Sequence, residues 1–258
     1  MKMKEKILEG KTIVISGGTK GVGKGVAMEC LKQGANVVIG GRDEESAATI
    51  IEESAKSAGE AIFVKTDLHD VKNCENLFEV SMKTFNRVDG FLNYAGVTPA
   101  AALTECSEEL YDEIFDIDIK AAFFCTQHAI RTMKINGGGS IILVGSTHAW
   151  RGEKDRTAYA CAKGALLTLS NHISYHYAVD NIRCNYLVMG WTPTEGELAL
   201  RKSQGISVEC LHELASAAIP LGRMTEINDI VPGIMYLLSD YSAMVTGTTF
   251  RINGGESI

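Results

Sequence analysis

Near its start the chain carries the stretch Thr12-Ile-Val-Ile-Ser16-Gly17-Gly-Thr-Lys20-Gly21-Val-Gly23, from which the fold can be read. Its first five residues are mostly β-branched and apolar, which is typical of a buried strand. The glycines that follow predict a tight turn, and residues 22–33 predict a helix that Gly34 ends. Glycine lets the backbone approach a ligand closely, and a helix N-terminus offers unpaired N–H groups to an anion. The stretch therefore predicts a strand, an anion-binding turn and a helix.

Strand and helix patterns alternate from this unit to the end of the chain. Further strands are predicted at residues 36–39, 61–64, 88–93, 140–144, 182–188 and 248–252. Helices are predicted at residues 43–58, 70–85, 107–135, 157–179, 195–218 with a break at 205–207, and 227–238. Continuous apolar strands that alternate with helices indicate a parallel sheet covered on both faces. We therefore predict one α/β domain over residues 1–258, with a doubly wound sheet of about seven strands.

Composition excludes several classes of protein. The 258 residues carry a net charge of −7, so there is no basic excess to neutralise nucleic-acid or membrane phosphates. No apolar run reaches the length of about 18 residues that a membrane span needs, and the charged N-terminus lacks the apolar core of a signal peptide. The seven cysteines are scattered and never form Cys-x-x-Cys, as in a reducing compartment. We expect a cytoplasmic protein without nucleic-acid or membrane partners.

The end of the second predicted strand indicates the type of dinucleotide that the glycine turn would bind. Sites for NAD place an acidic side chain there, to bind the ribose hydroxyls. Here the strand runs into Arg42, and the first carboxylate is Asp43. Arg42 could grip a 2′-phosphate through charge-assisted hydrogen bonds, and Lys20 could add a second positive charge. These residues favour NADP(H) over NAD(H), although both bases could also be ordinary surface residues.

A second stretch, residues 146–163, has the composition of a proton-transfer group. Tyr159 and Lys163 are four residues apart, so they share one face of the predicted helix. Ser146 follows the predicted strand at 140–144 and would face them from its carboxyl end. Cys161 points to another face of the helix. A phenol beside an ammonium and a hydroxyl is suited to exchanging a proton with a substrate oxygen.

With these stretches the chain resembles the short-chain dehydrogenase/reductase family over essentially its whole length. Tyr-x-x-x-Lys alone occurs often by chance, but its combination with the serine and the glycine turn is specific. The tail at residues 219–230 also resembles that family. The matching motifs are Ser16-Gly17-x-x-x-Gly21-x-Gly23, Asp67, Asn93-Tyr-Ala95-Gly96, Ser146, Tyr159-x-x-x-Lys163 and Asn253-Gly-Gly255.

The resemblance implies a Rossmann-like fold, a nicotinamide cofactor and a role for each matching residue. Tyr159 would be the acid in carbonyl reduction and the base in alcohol oxidation. Lys163 would favour the phenolate and bind the nicotinamide ribose, and Ser146 would hold the substrate oxygen. Asp67 would contact adenine. The residues implied to bind the cofactor are Ser16, Gly17, Thr19, Lys20, Gly21, Val22, Gly23, Arg42, Asp67, Leu68, Asn93, Ala95, Gly96, Tyr159, Lys163, Thr192 and Thr194. The helices at 107–135 and 157–179 would pair in a homodimer or homotetramer.

Three residues depart from the family's pattern. Asp118 stands where the family usually has a catalytic asparagine, and a carboxylate cannot donate hydrogen bonds as an amide does. Asp118 could be ionised and raise the pKa of Lys163, or be protonated and imitate asparagine. Met189 replaces a proline before Gly190, which predicts a looser backbone beneath the nicotinamide. Tyr94 replaces a second asparagine.

The substrate is expected to be a ketone or secondary alcohol, bound by loops beyond the strand ends and by a lid at about 190–218. Candidate contacts are His148, Trp150, Trp191 and Tyr186. An NAD-preferring polyol or sugar dehydrogenase and a catalytically weak NADP-sensing regulator stay open as alternatives. A Ser-His-Asp hydrolase is disfavoured because no Gly-x-Ser-x-Gly surrounds Ser146. No metal site is predicted, since the histidines show no ligand spacing beyond His172-x-x-x-His176.

Overall fold

The computed structural model describes residues 6–203 and 205–256, and within these ranges a single seven-stranded sheet forms the centre of the molecule. All the strand pairs are parallel, and the strand order is β3-β2-β1-β4-β5-β6-β7. The strands are β1 (Thr12–Ser16), β2 (Asn36–Gly41), β3 (Ala61–Lys65), β4 (Gly90–Asn93), β5 (Gly139–Gly145), β6 (Ile182–Met189) and β7 (Thr249–Ile252).

Helices cover both faces of this sheet. They are α1 (Gly21–Lys32), α2 (Glu44–Ser54), α3 (Val71–Phe85), α4 (Glu108–Phe115), α5 (Ala122–Asn136), α6 (Thr157–His176), α7 (Glu195–Ser203), α8 (Val208–Ala218) and α9 (Ile227–Leu238). Side chains of α1, α2 and α9 join one buried apolar cluster with one face of the sheet. Side chains of α3, α5 and α6 join a second cluster with the other face. The predicted doubly wound α/β fold is confirmed.

The strand order reverses beside β1. The chain turns to one side of the sheet after β1, toward β2, and to the other side after β4, toward β5. A crevice opens outside the strand ends at such a reversal, which is where doubly wound sheets bind ligands. The residues that follow β1, β2 and β4 therefore meet at one edge of the sheet.

The predicted helix at 107–135 contains an irregularity that its apolar pattern did not reveal. Ser107 caps it as expected, since its Oγ accepts a hydrogen bond from Leu110 N at 3.2 Å. Between α4 and α5, however, residues 116–121 form a π-helical turn. Such turns hold an extra residue and are frequent at functional sites. The turn carries Asp118 into the interior, where the side chain is 0% exposed.

Other helix ends differ from the prediction by a few residues. Helix α2 stops at Ser54 rather than at residue 58, and α6 stops at His176, before a 3-10 turn at Ala178–Asp180. None of the helices in the described part of the chain has the length and apolar character needed to cross a membrane.

Candidate active site

The glycine turn after β1 has a backbone conformation and close contacts that leave no room for side chains. Gly17 and Gly21 have positive φ angles of 76° and 54°, which L-residues rarely adopt. A Cβ on Gly17 would lie 2.9 Å from the backbone nitrogen of Ala95, and a Cβ on Gly23 would overlap the carbonyl of Gly17. Helix α1 begins directly after this turn without a side-chain cap. The close backbone approach and the uncapped helix N-terminus fit a pyrophosphate group.

A cleft of about 510 Å³ extends from this turn along the ends of β1, β2 and β4. Its shape and lining fit a dinucleotide, since it joins the glycine turn to polar groups at the end of β2. Most of the residues predicted to bind a cofactor line it: Ser16, Gly17, Thr19, Lys20, Gly21, Arg42, Asp67, Leu68, Ala95, Gly96 and Thr194.

Four predicted cofactor residues lie behind this lining. Val22 and Gly23 are buried in the first turn of α1. Asn93 accepts a hydrogen bond from Ser16 Oγ at 3.2 Å, which joins β4 to β1. Thr192 is buried, and its hydroxyl lies 2.7 Å from that of Thr225. These four residues are buried behind the residues that line the cleft.

The outer end of the cleft carries exposed charges. Lys20 Nζ lies 2.6 Å from Asp43 Oδ2, and this pairing holds the pKa of the Asp43 carboxyl well below its usual range. Asp43 therefore neutralises part of the Lys20 charge, which weakens the attraction that Lys20 could exert on a phosphate. Arg42 is exposed at the cleft edge and forms no ion pair within residues 6–203 and 205–256.

A histidine not predicted from the sequence lies at the same end. His69 Nδ1 is 2.8 Å from Asp67 Oδ1, and His69 Nε2 is 2.7 Å from Glu113 Oε2. The hydrogen bonds with Asp67 and then with Glu113 raise the pKa of His69. Its position two residues after Asp67 was the one available sequence signal. Nothing in the sequence linked Glu113 to it.

The residues predicted to transfer a proton lie near one another beyond the carboxyl end of β5. Tyr159 and Lys163 share a face of α6, with Lys163 Nζ 5.3 Å from the centre of the Tyr159 ring. Ser146 opens the turn after β5, and its Oγ lies 3.2 Å from His148 Nδ1. The His148 ring packs edge-on against Tyr159 at 5.7 Å, and its burial lowers the pKa of His148. A neutral imidazole thus lies beside the serine and the tyrosine.

Asp118 forms a buried ion pair with Lys163. The distance from Lys163 Nζ to Asp118 Oδ1 is 2.7 Å, and Lys163 also donates a hydrogen bond to the Val144 carbonyl at 3.1 Å. Asp118 Oδ2 accepts a hydrogen bond from Val97 N at 2.9 Å. Burial by itself would lower the pKa of Lys163, but the Asp118 carboxylate outweighs burial, so that this pKa is raised. Lys163 therefore keeps its positive charge at neutral pH, with the Asp118 carboxylate beside it.

Gly96 lies directly against this ion pair. A Cβ at Gly96 would lie 2.8 Å from Asp118 Oδ1 and 3.5 Å from Lys163 Nζ. Glycine is therefore required here by the close approach of the carboxylate.

Tyr186, one of the aromatic residues predicted to contact substrate, lies beneath the site instead. It is 1% exposed, so that prediction is wrong. Its Oη accepts a hydrogen bond from Ser146 N at 3.0 Å and donates one to the Lys163 carbonyl at 3.1 Å. The apolar pattern of β6 predicts inward-facing side chains, but it does not show which loop a tyrosine hydroxyl will reach.

The other aromatic candidates lie nearer the surface. Trp150 is 41% exposed, and its ring meets that of Tyr186 edge-on at 5.8 Å. Trp191 Nε1 donates a hydrogen bond to Glu197 Oε1 at 2.7 Å, which joins the loop after β6 to α7.

The backbone at Met189 is more firmly held than the loss of proline led us to expect. Strand β6 continues through Met189, which pairs with Ile252 of β7. The N–H of Gly190 donates a hydrogen bond to the Ile252 carbonyl at 2.8 Å. Pairing with β7 thus supports this segment without proline.

The whole chain is similar to known oxidoreductases. A family model described as enoyl-(acyl carrier protein) reductase matches residues 17–257. The L-rhamnose 1-dehydrogenase (NAD(P)(+)) of Azotobacter vinelandii is 34% identical over 254 residues, which cover 96% of this chain and 97% of that protein. The 3-oxoacyl-(acyl-carrier-protein) reductase FabG of Chlamydia pneumoniae is 30% identical, over 96% of this chain and 97% of that protein. A solved short-chain type dehydrogenase/reductase from Mycobacterium ulcerans superimposes with a TM-score of 0.89 at 25% identity, over 96% of this chain and 90% of that one.

Proposed function

The chain belongs to the short-chain dehydrogenase/reductase family, and on that premise we propose that it transfers a hydride between NADP(H) and a ketone or secondary alcohol. Membership makes it an oxidoreductase that acts on C=O or CH–OH groups with NAD(P). The proposal adds the preferred cofactor, the acid–base residue and the substrate class. The observation that carries it is that Tyr159 and Lys163 share a face of α6, and that His148 contacts both Tyr159 and Ser146 beyond the carboxyl end of β5.

In the reductive direction the protein's own residues supply the proton and stabilise the phenolate that its loss leaves behind. A bound, reduced nicotinamide would supply the hydride to the carbonyl carbon. The Ser146 hydroxyl donates a hydrogen bond to the carbonyl oxygen and so holds it beside Tyr159. The Tyr159 phenol gives its proton to that oxygen as negative charge develops there. Lys163, held 5.3 Å from the ring centre, stabilises the phenolate that is left.

Asp118 modifies this step through Lys163. In the ion pair the carboxylate offsets part of the positive charge that would stabilise the phenolate. The carboxylate should therefore weaken the help that Lys163 gives to Tyr159, and we expect slower proton transfer than an unpaired lysine would allow. A catalytically weak NADP-sensing protein is the extreme case of this effect, and it is the alternative from another functional class.

The preference for NADP(H) rests on Arg42. Its guanidinium stands at the edge of the cleft, where a 2′-phosphate would lie, and it is suited to a bidentate contact. Lys20 adds less than its charge suggests because it is paired with Asp43. Asp43 also offers a carboxylate at this end, and a carboxylate can accept hydrogen bonds from ribose hydroxyls. We propose a preference for NADP(H) that leaves NAD(H) usable.

Two substrate classes are supported by the names of similar proteins. One relative is named for L-rhamnose oxidation with NAD(P), which supports a sugar or polyol as the alternative substrate. Another is named for reduction of a 3-oxoacyl group on acyl carrier protein, which supports a ketone. The polar pair of Ser146 and His148 suits a substrate with a second hydroxyl beside the reacting carbon. We propose that α7 and α8, within residues 190–218, form the lid over this substrate.

We also propose a homodimer or homotetramer. Phe123 on α5 and Tyr175 on α6 are large apolar side chains that are 46% and 79% exposed. A second copy of the chain would cover them across a two-fold axis.

A substrate panel tests the proposal directly. Purified protein would be mixed with NADPH or NADH and with simple ketones and a 3-oxoacyl thioester. In the reverse direction it would be mixed with NADP⁺ or NAD⁺ and with L-rhamnose, other aldoses and polyols. We expect a change in reduced-nicotinamide absorbance for at least one substrate, and none with Tyr159→Phe. Tight NADPH binding without any turnover would support the sensor instead.

A further inference from the structure

Tyr186 occupies a position that the strand register of β5 and β6 defines. It pairs with Leu143 on β5, and its side chain leans toward the carboxyl end of the strands. The ring therefore passes over Gly145, which lies two residues beyond Leu143 on the same face. A Cβ on Gly145 would overlap the Tyr186 ring. The two residues fit only as a pair, since the tyrosine fills the space that glycine leaves.

The hydroxyl of this buried ring joins the two elements that carry the proton-transfer group. It accepts a hydrogen bond from the backbone N–H of Ser146, at the end of β5. It donates a hydrogen bond to the backbone carbonyl of Lys163, in the first half of α6. The carbonyl can accept this bond in addition to its helical one because it has two lone pairs.

We infer that Tyr186 is a positioning residue, which fixes the distance between Ser146 and the Tyr159–Lys163 face of α6 and so supports the proton transfer of the proposed function. Ser146 would hold the substrate oxygen, and Lys163 lies one helical turn after Tyr159. A single phenol that bonds to the backbone of both sets how far apart they lie. Trp150 covers the edge of the ring at 5.8 Å and limits its movement toward the loop.

Tyr186 does not exchange protons itself. It is 1% exposed, and its burial raises the pKa of Tyr186 to about 12. The hydroxyl therefore keeps its proton at neutral pH and can donate to the Lys163 carbonyl throughout the working range. Its contribution would be to geometry alone.

The test is Tyr186→Phe, which keeps the ring and removes only the hydroxyl. With the substrate that the wild-type protein turns over fastest in the panel above, we expect kcat to fall about tenfold, as for the loss of a buried hydrogen bond. The KM for that substrate and the Kd for NADPH should stay within about twofold, since neither ligand touches Tyr186 in this arrangement. Tyr177→Phe is the matched control, because Tyr177 lies directly after α6, about 20 Å along the helix axis from Lys163, and the loss of its hydroxyl should leave kcat unchanged.

A purely structural role would give a different result. It would lower the melting temperature of Tyr186→Phe while kcat for the folded protein stayed within about twofold of wild type, and that result would overturn the inference. A parallel loss of NADPH affinity would overturn it as well, because it would indicate general damage to the fold.

Hydrogen–deuterium exchange separates this inference from the proposed function. If the wild-type protein turns over no substrate, the proposed function fails, but the bond from Ser146 N to Tyr186 can still be measured. We expect faster deuterium uptake in peptides that span residues 141–150 in Tyr186→Phe than in Tyr177→Phe. Equal uptake in the two variants would show that the phenol does not hold Ser146.

Discussion

Each end of the site carries a lysine–aspartate ion pair, but one pair is buried and the other is exposed. Around Lys163 the ion pair with Asp118 is buried, with exposures of 6% and 0% for the two side chains. At the far end of the cleft Lys20 and Asp43 form a pair at nearly the same distance, but the side chains are 57% and 31% exposed. Water and salt screen the second pair and hardly reach the first.

This difference indicates where substitutions will have large effects. Removing one partner of a buried pair leaves a charge without compensation, which costs about 3–5 kcal/mol. An exposed pair contributes much less to stability, because water and salt screen it. The end around Lys163 should therefore tolerate little change, whereas substitutions at the end around Lys20 and Arg42 should leave the protein folded.

The largest effect is expected from Tyr159→Phe. Proton transfer by a positioned side chain contributes about 10²- to 10⁴-fold to a rate, and phenylalanine has no proton to give. We expect kcat to fall by that factor while the Kd for NADPH, measured by fluorescence titration, stays near the wild-type value. Tyr177→Phe, directly after the end of α6, is the control. Full activity in Tyr159→Phe would disprove the proposed mechanism.

Asp118→Ala should cause the next largest effect, on stability. It leaves the Lys163 ammonium buried without its carboxylate, so the free energy of unfolding should fall by about 3–5 kcal/mol in a denaturant titration. Because the folded-state pKa of Lys163 is raised above its unfolded value, the pair is fully effective at neutral pH. Its contribution should be lost only as the pH rises through the folded-state value. An unchanged unfolding midpoint would contradict a buried ion pair.

Asp118→Asn keeps the shape of the side chain and removes its charge. Lys163 would then act on Tyr159 without an opposing carboxylate, which favours the phenolate. We expect the pH–rate profile for alcohol oxidation to move to lower pH than in the wild type. A profile that does not move, or that moves to higher pH, would count against the charge of Asp118 as the cause.

Arg42→Asp tests the exposed end. Losing a charge-assisted contact with the 2′-phosphate should weaken NADPH binding relative to NADH by about 10- to 100-fold. Arg42→Lys retains the charge but cannot make the bidentate contact. Its binding of NADPH relative to NADH should lie between that of the wild type and that of Arg42→Asp. The proposed preference of the wild type for NADPH should also shrink at high salt, because Arg42 is exposed. A preference that is unchanged in Arg42→Asp would exclude Arg42 from the phosphate contact.

The smallest effect is expected from His69→Gln, and it should depend on pH. The pKa of His69 is raised in the folded protein, so its contribution to stability is complete below the unfolded value near 6.5. That contribution should be lost as the pH rises through the folded-state pKa. The side chain is 35% exposed, so we expect less than about 1 kcal/mol. We expect the melting temperatures of the wild-type protein and of His69→Gln to differ below this pH range and to become equal above it.

The sequence predicted those features that depend on nearby residues. The spacing of apolar residues and the glycines that end the helices predicted all seven described strands, with each end within one or two residues of the observed one. The four-residue spacing of Tyr159 and Lys163 predicted a shared helix face in the same way. The arrangement of β1 and β4 around the cleft followed from the fold class.

Contacts between distant segments could not be predicted in this way. The bond from Tyr186 to Ser146 depends on the register of β6 against β5, and on an empty space that only the backbone of Gly145 reveals. The bridge from His69 to Glu113 joins residues 44 positions apart. Asp118 was recognised as a departure from the family pattern, but its direct contact with Lys163 depends on a π-helical turn that apolar periodicity does not encode.

That turn also determines how this chain can change over generations. A π-helical turn accommodates about one residue more than an α-helical turn, so deleting a residue from 116–121 would rotate α5 by about 100° relative to α4. Either Asp118 would then turn away from Lys163, or Cys125 and Ala129 of α5 would leave the core in which both are buried. Exchanging the side chain at position 118 disturbs neither helix. Descendants of this chain should therefore vary in the residue at position 118 before they vary in the length of this segment.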